Sequence, residues 1–168
     1  MEKNYLRSVA EVELLPHAIE GLRRLQDAGL GLVIVSNQSA IGRGMLDAAG
    51  LEQIHSALER MLLDGGVCIE AIYYCPHLPE DHCDCRKPAT GMMKRAAADF
   101  VFDPQKAFVI GDKPCDIELG RVCGARTVLV RTGYGRKFEE AGLTADCVVD
   151  DLLEAAQFIQ AVIESEGD

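Results

Sequence analysis

The chain has 168 residues and a net charge of −10, and 48% of its residues are apolar. That length supplies one domain with a full core and leaves little room for a second, so a single domain over 1–168 is expected. The acidic balance, without any Lys/Arg run or basic stripe, argues against a nucleic-acid partner. No apolar run is long enough to cross a bilayer, and the opening residues MEKNYLRSVAEVE carry charge rather than the apolar core of a leader. The expectation is a cytoplasmic monomer with no membrane partner.

Residues 17–28 place Ile19, Leu22 and Leu25 at helical spacing, with Gly29 as a C-cap. Leu32 to Val35 is a short apolar run with β-branched residues, read as a buried strand, and polar Ser36-Asn37-Gln38 follows at once. Asp47 is an N-cap for a helix through about Leu63, with Leu51, Ile54, Leu58 and Leu62 on one face. Ala71 to Tyr74 reads as a strand. Cys75–Thr90 has Pro, His, Cys and charge but no period, so it reads as an ordered loop. Gly91 to Phe100 reads as a helix, Ala107 to Ile110 as a strand ending in Gly111-Asp112, and about Cys115 to Cys123 as a helix. Thr127 to Val130 is a strand, and Asp150–Glu164 an amphipathic closing helix. The alternation, with apolar rather than alternating strands, predicts a parallel sheet covered on both faces. Ligands of such sheets bind beyond the carboxyl ends of the strands. Three polar clusters converge there: Ser36-Asn37-Gln38, Cys75-Pro76-His77 and Gly111-Asp112.

The strongest local pattern is Cys75-x-His77-x5-Cys83-x-Cys85. Thiolates and an imidazole suit tetrahedral zinc, and four ligands suggest a closed, structural site that pins a loop with no other means of holding its shape. Free thiols in a mobile loop are the bland alternative, but four ligand-type residues within eleven positions seldom coincide. Cys68, Cys115, Cys123 and Cys147 sit in apolar or helical contexts and read as packed thiols. Gly111-Asp112-Lys113-Pro114-Cys115-Asp116 after an apolar strand offers a carboxylate for Mg²⁺; a plain strand-to-helix turn with Asp116 as a cap is an equal reading taken alone. Ser36-Asn37-Gln38-Ser39 could hold phosphate oxygens, although a polar turn is the better reading of it by itself. Arg86-Lys87-Pro88 brings a bidentate fork and a point charge next to the last zinc-type cysteine.

In this order the four patterns resemble the haloacid dehalogenase (HAD) superfamily. Ser36 matches its strand-end hydroxyl, Lys87 its lysine, and Gly111-Asp112…Asp116 its acidic pair. Within it, Cys85-Arg86-Lys87-Pro88, Ser-Asn-Gln-Ser-Ala-Ile-Gly-Arg-Gly at 36–44 and Tyr74-Cys75-Pro76-His77 are similar to the zinc-containing D,D-heptose 1,7-bisphosphate phosphatases, with histidinol phosphatases as relatives. The resemblance implies a Rossmann-like three-layer α/β/α fold, a small zinc loop at 75–87 and no large cap domain. It implies an Mg²⁺-dependent phosphatase that hydrolyses the C7 phosphate of a heptose bisphosphate, a step toward the ADP-heptose of the lipopolysaccharide core. Ser36, Lys87 and Asp112 would be catalytic, Asp112 also holding Mg²⁺. Tyr5, Asn37, Gln38, Ser39, Arg86 and Lys113 would bind substrate. Cys75, His77, Cys83 and Cys85 would bind Zn²⁺. Histidinol phosphate is the alternative substrate, and a non-catalytic phosphate-binding relative the alternative class.

The family's nucleophile lies in a strand-end Asp-x-Asp, and this sequence has none. Glu2-x-x-Tyr5 resembles the stretch just after that motif. The expectation is therefore a chain that begins late through a misplaced or shortened start, with a degenerate relative as the other origin. It also predicts a gap in the sheet between the strand ending at Val35 and the one ending at Ile110, with reduced stability or a rearranged edge, and with the covalent route lost.

Overall fold

A computed structural model describes residues 5–166. Among them are five strands: β1 (Val33–Asn37), β2 (Ala71–Cys75), β3 (Phe108–Gly111), β4 (Arg126–Val130) and β5 (Cys147–Val149). Seven helices connect and cover them: α1 (Ala18–Asp27), α2 (Ser39–Gly42), α3 (Ala48–Asp64), α4 (Gly91–Phe100), α5 (Pro114–Cys123), α6 (Gly135–Glu140) and α7 (Leu152–Glu166). All strand pairs are parallel. β1 pairs with β2 from Val33↔Ala71 to Asn37↔Cys75, β3 with β4 from Phe108↔Arg126 to Gly111↔Leu129, and β4 with β5 from Val128↔Cys147 to Val130↔Val149.

The local causes are ordinary. Asp47 caps α3 by accepting the Gly50 N–H at 2.7 Å, and the helix then buries Leu51, Ile54 and Leu62. Pro114 occupies the first turn of α5, where its missing N–H costs nothing, and Gly124 ends the helix in the left-handed region. Two apolar clusters give the molecule its layers. Leu25, Leu62, Val128, Val130, Val149, Ala155, Ala156 and Ile159 pack on one side with α1 and α7. Met93, Val109, Leu119 and Ala125 pack on the other with α4 and α5. The fold is thus the expected α/β/α arrangement of parallel strands between helices.

The strands do not form one sheet. The order is β1-β2 in one piece and β3-β4-β5 in another, so no strand bridges β1 to β3 among the described residues. A cavity of about 980 Å³ lies between those two edges, walled by Leu22 and Leu25 of α1, Met93, Ala96 and Phe100 of α4, and Ile159 of α7. The break falls between the strands ending near Val35 and Ile110, where a gap was expected. Its effect on burial is direct: four of five residues of β4 are fully buried, whereas none in β1 is.

Several boundaries differ from the sequence reading. β1 runs on to Asn37, so Ser36 and Asn37 lie within the strand, and β2 includes Cys75. β5, α2 and α6 were not foreseen; three to six residues are too few to display a period. Cys68 is exposed rather than packed, on the connection from α3 to β2, where its N–H donates to Gln26 Oε1 at 2.8 Å.

Candidate active site and metal-ligand cluster

Most of the residues expected to carry chemistry gather at or beside the carboxyl ends of β1, β2 and β3. Asn37, the last residue of β1, holds Lys87 through both amide atoms. Its Oδ1 accepts the Lys87 N–H at 2.9 Å, and its Nδ2 donates to the Lys87 carbonyl at 3.1 Å. That clamp, with the Lys87–Pro88 peptide in cis, aims the Lys87 side chain back into the strand ends. There Nζ donates to the Val35 carbonyl at 2.6 Å and pairs with Asp116 Oδ1 at 2.7 Å. Both side chains are about nine-tenths buried, so the pair meets little screening by water. Ser36 Oγ accepts from Gln38 Nε2 at 2.9 Å.

Across the slot, β3 ends at Gly111 and Asp112 follows. A Cβ on Gly111 would lie 2.2 Å from Asp116 Cβ, so only glycine lets the first turn of α5 fold so closely over the strand end. Asp116 Oδ2 accepts the Lys113 N–H at 3.1 Å and caps α5 while Oδ1 meets Lys87. Asp112 Oδ2 accepts the Tyr134 N–H at 2.9 Å. Gly133, at φ +66, makes that approach possible, since a Cβ there would sit 2.3 Å from the same oxygen. The Lys113 ammonium lies 4.5 Å from the centre of the Tyr134 ring, a cation–π contact.

Arg86 reaches the same edge from the loop, donating to Ser39 Oγ at 2.8 Å and to the His77 carbonyl at 3.1 Å. The Tyr5 hydroxyl accepts from Arg43 Nε at 3.1 Å, just past α2, and the Arg43 N–H donates to the Ser39 carbonyl at 3.0 Å. Glu2, read together with Tyr5, lies outside the described residues. The structure therefore brings Ser36, Asn37, Gln38, Ser39, Arg86, Lys87, Asp112 and Lys113 to one edge of the fold. Asp116 was expected as a cap or an aid to the metal; it is a cap and the partner of Lys87. Tyr134 and Gly133 were missed. Only a glycine followed by an aromatic residue marks them in sequence, and their contact with Asp112 spans 22 positions.

Beside the strand ends, Cys75, His77, Cys83 and Cys85 put one ligand atom each within 4.8 Å of one another, a group that could hold a metal ion. Sγ of Cys85 lies 3.2 Å from both Cys75 Sγ and His77 Nδ1, and Cys75 Sγ lies 3.5 Å from Cys83 Sγ. Burial and the neighbouring thiols push Cys85 up to about 12, and burial likewise raises Cys75. Thiols crowded this closely repel as anions and are stabilised together only by a cation.

A family model described as HAD-hydrolase-like matches residues 84–155. The D-glycero-β-D-manno-heptose-1,7-bisphosphate 7-phosphatase of Pseudomonas aeruginosa is 37% identical over 132 residues, covering 79% of this chain and 74% of that protein. The enzyme of the same name from Haemophilus ducreyi is 34% identical over 167 residues, covering 95% and 91%. Among solved structures, the D,D-heptose 1,7-bisphosphate phosphatase from B. bronchiseptica, complexed with magnesium and phosphate, superposes with a TM-score of 0.87 at 34% identity, covering 94% of this chain and 89% of that one. The chain belongs to the heptose-1,7-bisphosphate 7-phosphatase family of HAD-like hydrolases. These relatives are named phosphatases of a heptose bisphosphate, and the histidinol alternative is not favoured by them.

Proposed function

We propose that the protein hydrolyses the C7 phosphate of a D-glycero-D-manno-heptose 1,7-bisphosphate. The single observation that carries the reading is the meeting of Lys87, Asp112 and Ser36 at the strand ends, each held by named partners. The family relationship supports the sugar bisphosphate as substrate.

In this reading Lys87 and the Ser36 hydroxyl bind the phosphoryl oxygens and stabilise the charge that spreads over them. Lys87 is held in place by Asn37, so the ammonium needs no reorganisation during reaction. Asp112 presents a carboxylate oxygen suited to Mg²⁺, a hard ion that would neutralise phosphate charge when bound. Arg86, Lys113, Gln38, Ser39 and Tyr5 recognise the rest of the substrate, and Asn37 contributes by positioning Lys87 through both of its amide atoms.

The attacking carboxylate belongs to an Asp-x-Asp that this sequence does not contain. Its geometric place is the end of a strand between β1 and β3. The first carboxylate would bond to phosphorus as the sugar oxygen leaves with a proton from the second carboxyl group. Water would then lose a proton to that second carboxylate, attack phosphorus and free inorganic phosphate. The four ligands beside the site fit structural zinc. A Zn–S bond of ~2.3 Å gives a tetrahedral edge of ~3.8 Å, close to the spacings of 3.2 to 3.5 Å found here. Zinc would hold the 75–87 loop, and so Arg86 and Lys87, in register with β1.

The test is phosphate release from the heptose bisphosphate with Mg²⁺, using this chain preceded by an apolar strand that ends in Asp-x-Asp. Release at C7 but not from histidinol phosphate supports the reading; preference for histidinol phosphate overturns it.

A further inference from the structure

We infer that the Tyr134 ring is the positioning element for the Lys113 ammonium, and so sets the affinity for the anionic part of the substrate that does not react; the inference rests on the phosphatase reading.

Lys113 stands between two carboxylates in sequence, Asp112 and Asp116, yet among the described residues its ammonium forms an ion pair with neither. Asp116 Oδ1 is taken by Lys87 at 2.7 Å, and Asp112 Oδ2 accepts the Tyr134 N–H at 2.9 Å. The ammonium meets the Tyr134 ring instead, 4.5 Å from its centre. A ring face attracts a cation without neutralising it, so the charge stays available to an incoming anion. A carboxylate in the same place would repel that anion.

Both main chains are fixed before the side chains meet. The Lys113 N–H donates to Asp116 Oδ2 at 3.1 Å, and Pro114 keeps Lys113 extended, at φ −130 and ψ 155. On the other side the Arg131 guanidinium grips both carboxylate oxygens of Glu139 at 2.7 and 2.8 Å and reaches Asp150 Oδ1 at 2.9 Å. The Arg131 and Thr132 N–H groups donate to the Val149 and Asp150 carbonyls. These bonds tie the ends of β4 and β5 to α6, and Tyr134 is the residue from which α6 starts. Lys113 is exposed, and its four-carbon stem is otherwise free to sample many rotamers. Ordering such a side chain is a cost of binding, and a ring that holds the ammonium beforehand removes part of it. Tyr134 therefore serves two neighbours in separable ways. Its main-chain N–H fixes Asp112, and its ring fixes Lys113, so a change of side chain disturbs only the second.

The test pairs two readouts. One is steady-state kinetics on the heptose bisphosphate with Mg²⁺, in the chain preceded by an apolar strand ending in Asp-x-Asp. The other is the proton NMR position of the Lys113 ε-methylene in the 168-residue chain. Tyr134→Leu should raise KM about three- to tenfold, with kcat changed less than about twofold and the Mg²⁺ requirement unmoved. Tyr134→Phe keeps the ring face and should hold KM within about twofold of the parent. In a Lys113→Met background, Tyr134→Leu should change KM by less than about twofold, because the partner it acts through is gone. The ε-methylene should lie upfield in the parent and in Tyr134→Phe, and return to its ordinary position in Tyr134→Leu. A lowered or unchanged KM in Tyr134→Leu, a Tyr134→Phe form that behaves like it, independent effects of the two substitutions, or an ordinary ε-methylene position in the parent would each overturn the inference while leaving the phosphatase reading intact. No phosphate release from the heptose bisphosphate by any form, with the ε-methylene still upfield, would overturn the phosphatase reading and the inference with it.

Discussion

Lys87 and Asp116 are the residues whose roles are most tightly bound together. Each is nearly buried, and among the described residues each is the other's ion-pair partner, at 2.7 Å. Replacing one member leaves an uncompensated buried charge, which costs far more than the pair contributes. Lys87→Met should therefore lower stability by roughly 3–5 kcal/mol and abolish phosphate release. Adding Asp116→Asn to Lys87→Met should recover much of the lost Tm in thermal melts while activity stays absent. Recovery of both would mean Lys87 is structural only. A finer test lies at Gly133. A Cβ there meets Asp112 Oδ2 at 2.3 Å, so Gly133→Ala should weaken Mg²⁺ binding, read as a raised metal requirement, with a smaller effect on substrate KM. Ser36 and Asp112 were legible in the sequence because each lies at the end of an apolar strand run, and Lys87 because it follows the last cysteine of the metal-type cluster. Asp116 as the partner of Lys87, and the Tyr134 N–H as the partner of Asp112, were not, because both depend on which strand ends become neighbours.

The loop after β2 has no period and only one turn of 3-10 helix, at Pro79–Asp81, so its shape depends on the four ligands. The cluster was readable from spacing alone, since cysteine and histidine at such intervals have few other uses. One zinc ion per chain is expected by atomic emission. Its removal by a strong chelator should lower Tm and expose the Cys75, Cys83 and Cys85 thiols to a thiol reagent together. A zinc-free protein with unchanged Tm would contradict this role. Just past the carboxyl end of β5, the starts of α1 and α7 are joined by His17 Nδ1 and Asp151 Oδ2 at 2.5 Å. The hydrogen bond and charge of Asp151 raise the His17 pKa above 6.5, and the hydrogen bond from His17 lowers that of Asp151 below 3.8. The histidine's contribution is complete below 6.5 and fades as pH climbs through the raised value. The carboxylate's is complete above 3.8 and fades as pH falls through the lowered one. The link therefore stabilises most between those two ordinary values. His17→Gln should flatten the fall in Tm as pH rises above 6.5, and an unchanged Tm profile would remove the link from the account. Sequence gave no hint of this contact, which joins positions 134 residues apart.

For the molecule as a whole, the alternation of apolar runs and helical faces announced a parallel α/β/α domain, and the five helices at 18–27, 48–64, 91–100, 114–123 and 152–166 fell within a residue or two of their predicted bounds. What composition and period could not convey is strand order, which depends on how connections cross. The division into β1-β2 and β3-β4-β5 leaves the two halves of the site, Ser36 with Lys87 and Asp112 with Lys113, on different sheets facing one slot. Filling that slot should tighten both halves at once. The measurement that bears most directly on the account is phosphate release from D-glycero-D-manno-heptose 1,7-bisphosphate with Mg²⁺, comparing the 168-residue chain with the same chain preceded by an apolar strand ending in Asp-x-Asp. The account predicts release only from the extended chain, and loss of that release in its Lys87→Met and Asp112→Asn forms. Release from the 168-residue chain by itself would place the nucleophile among residues already present and contradict the account.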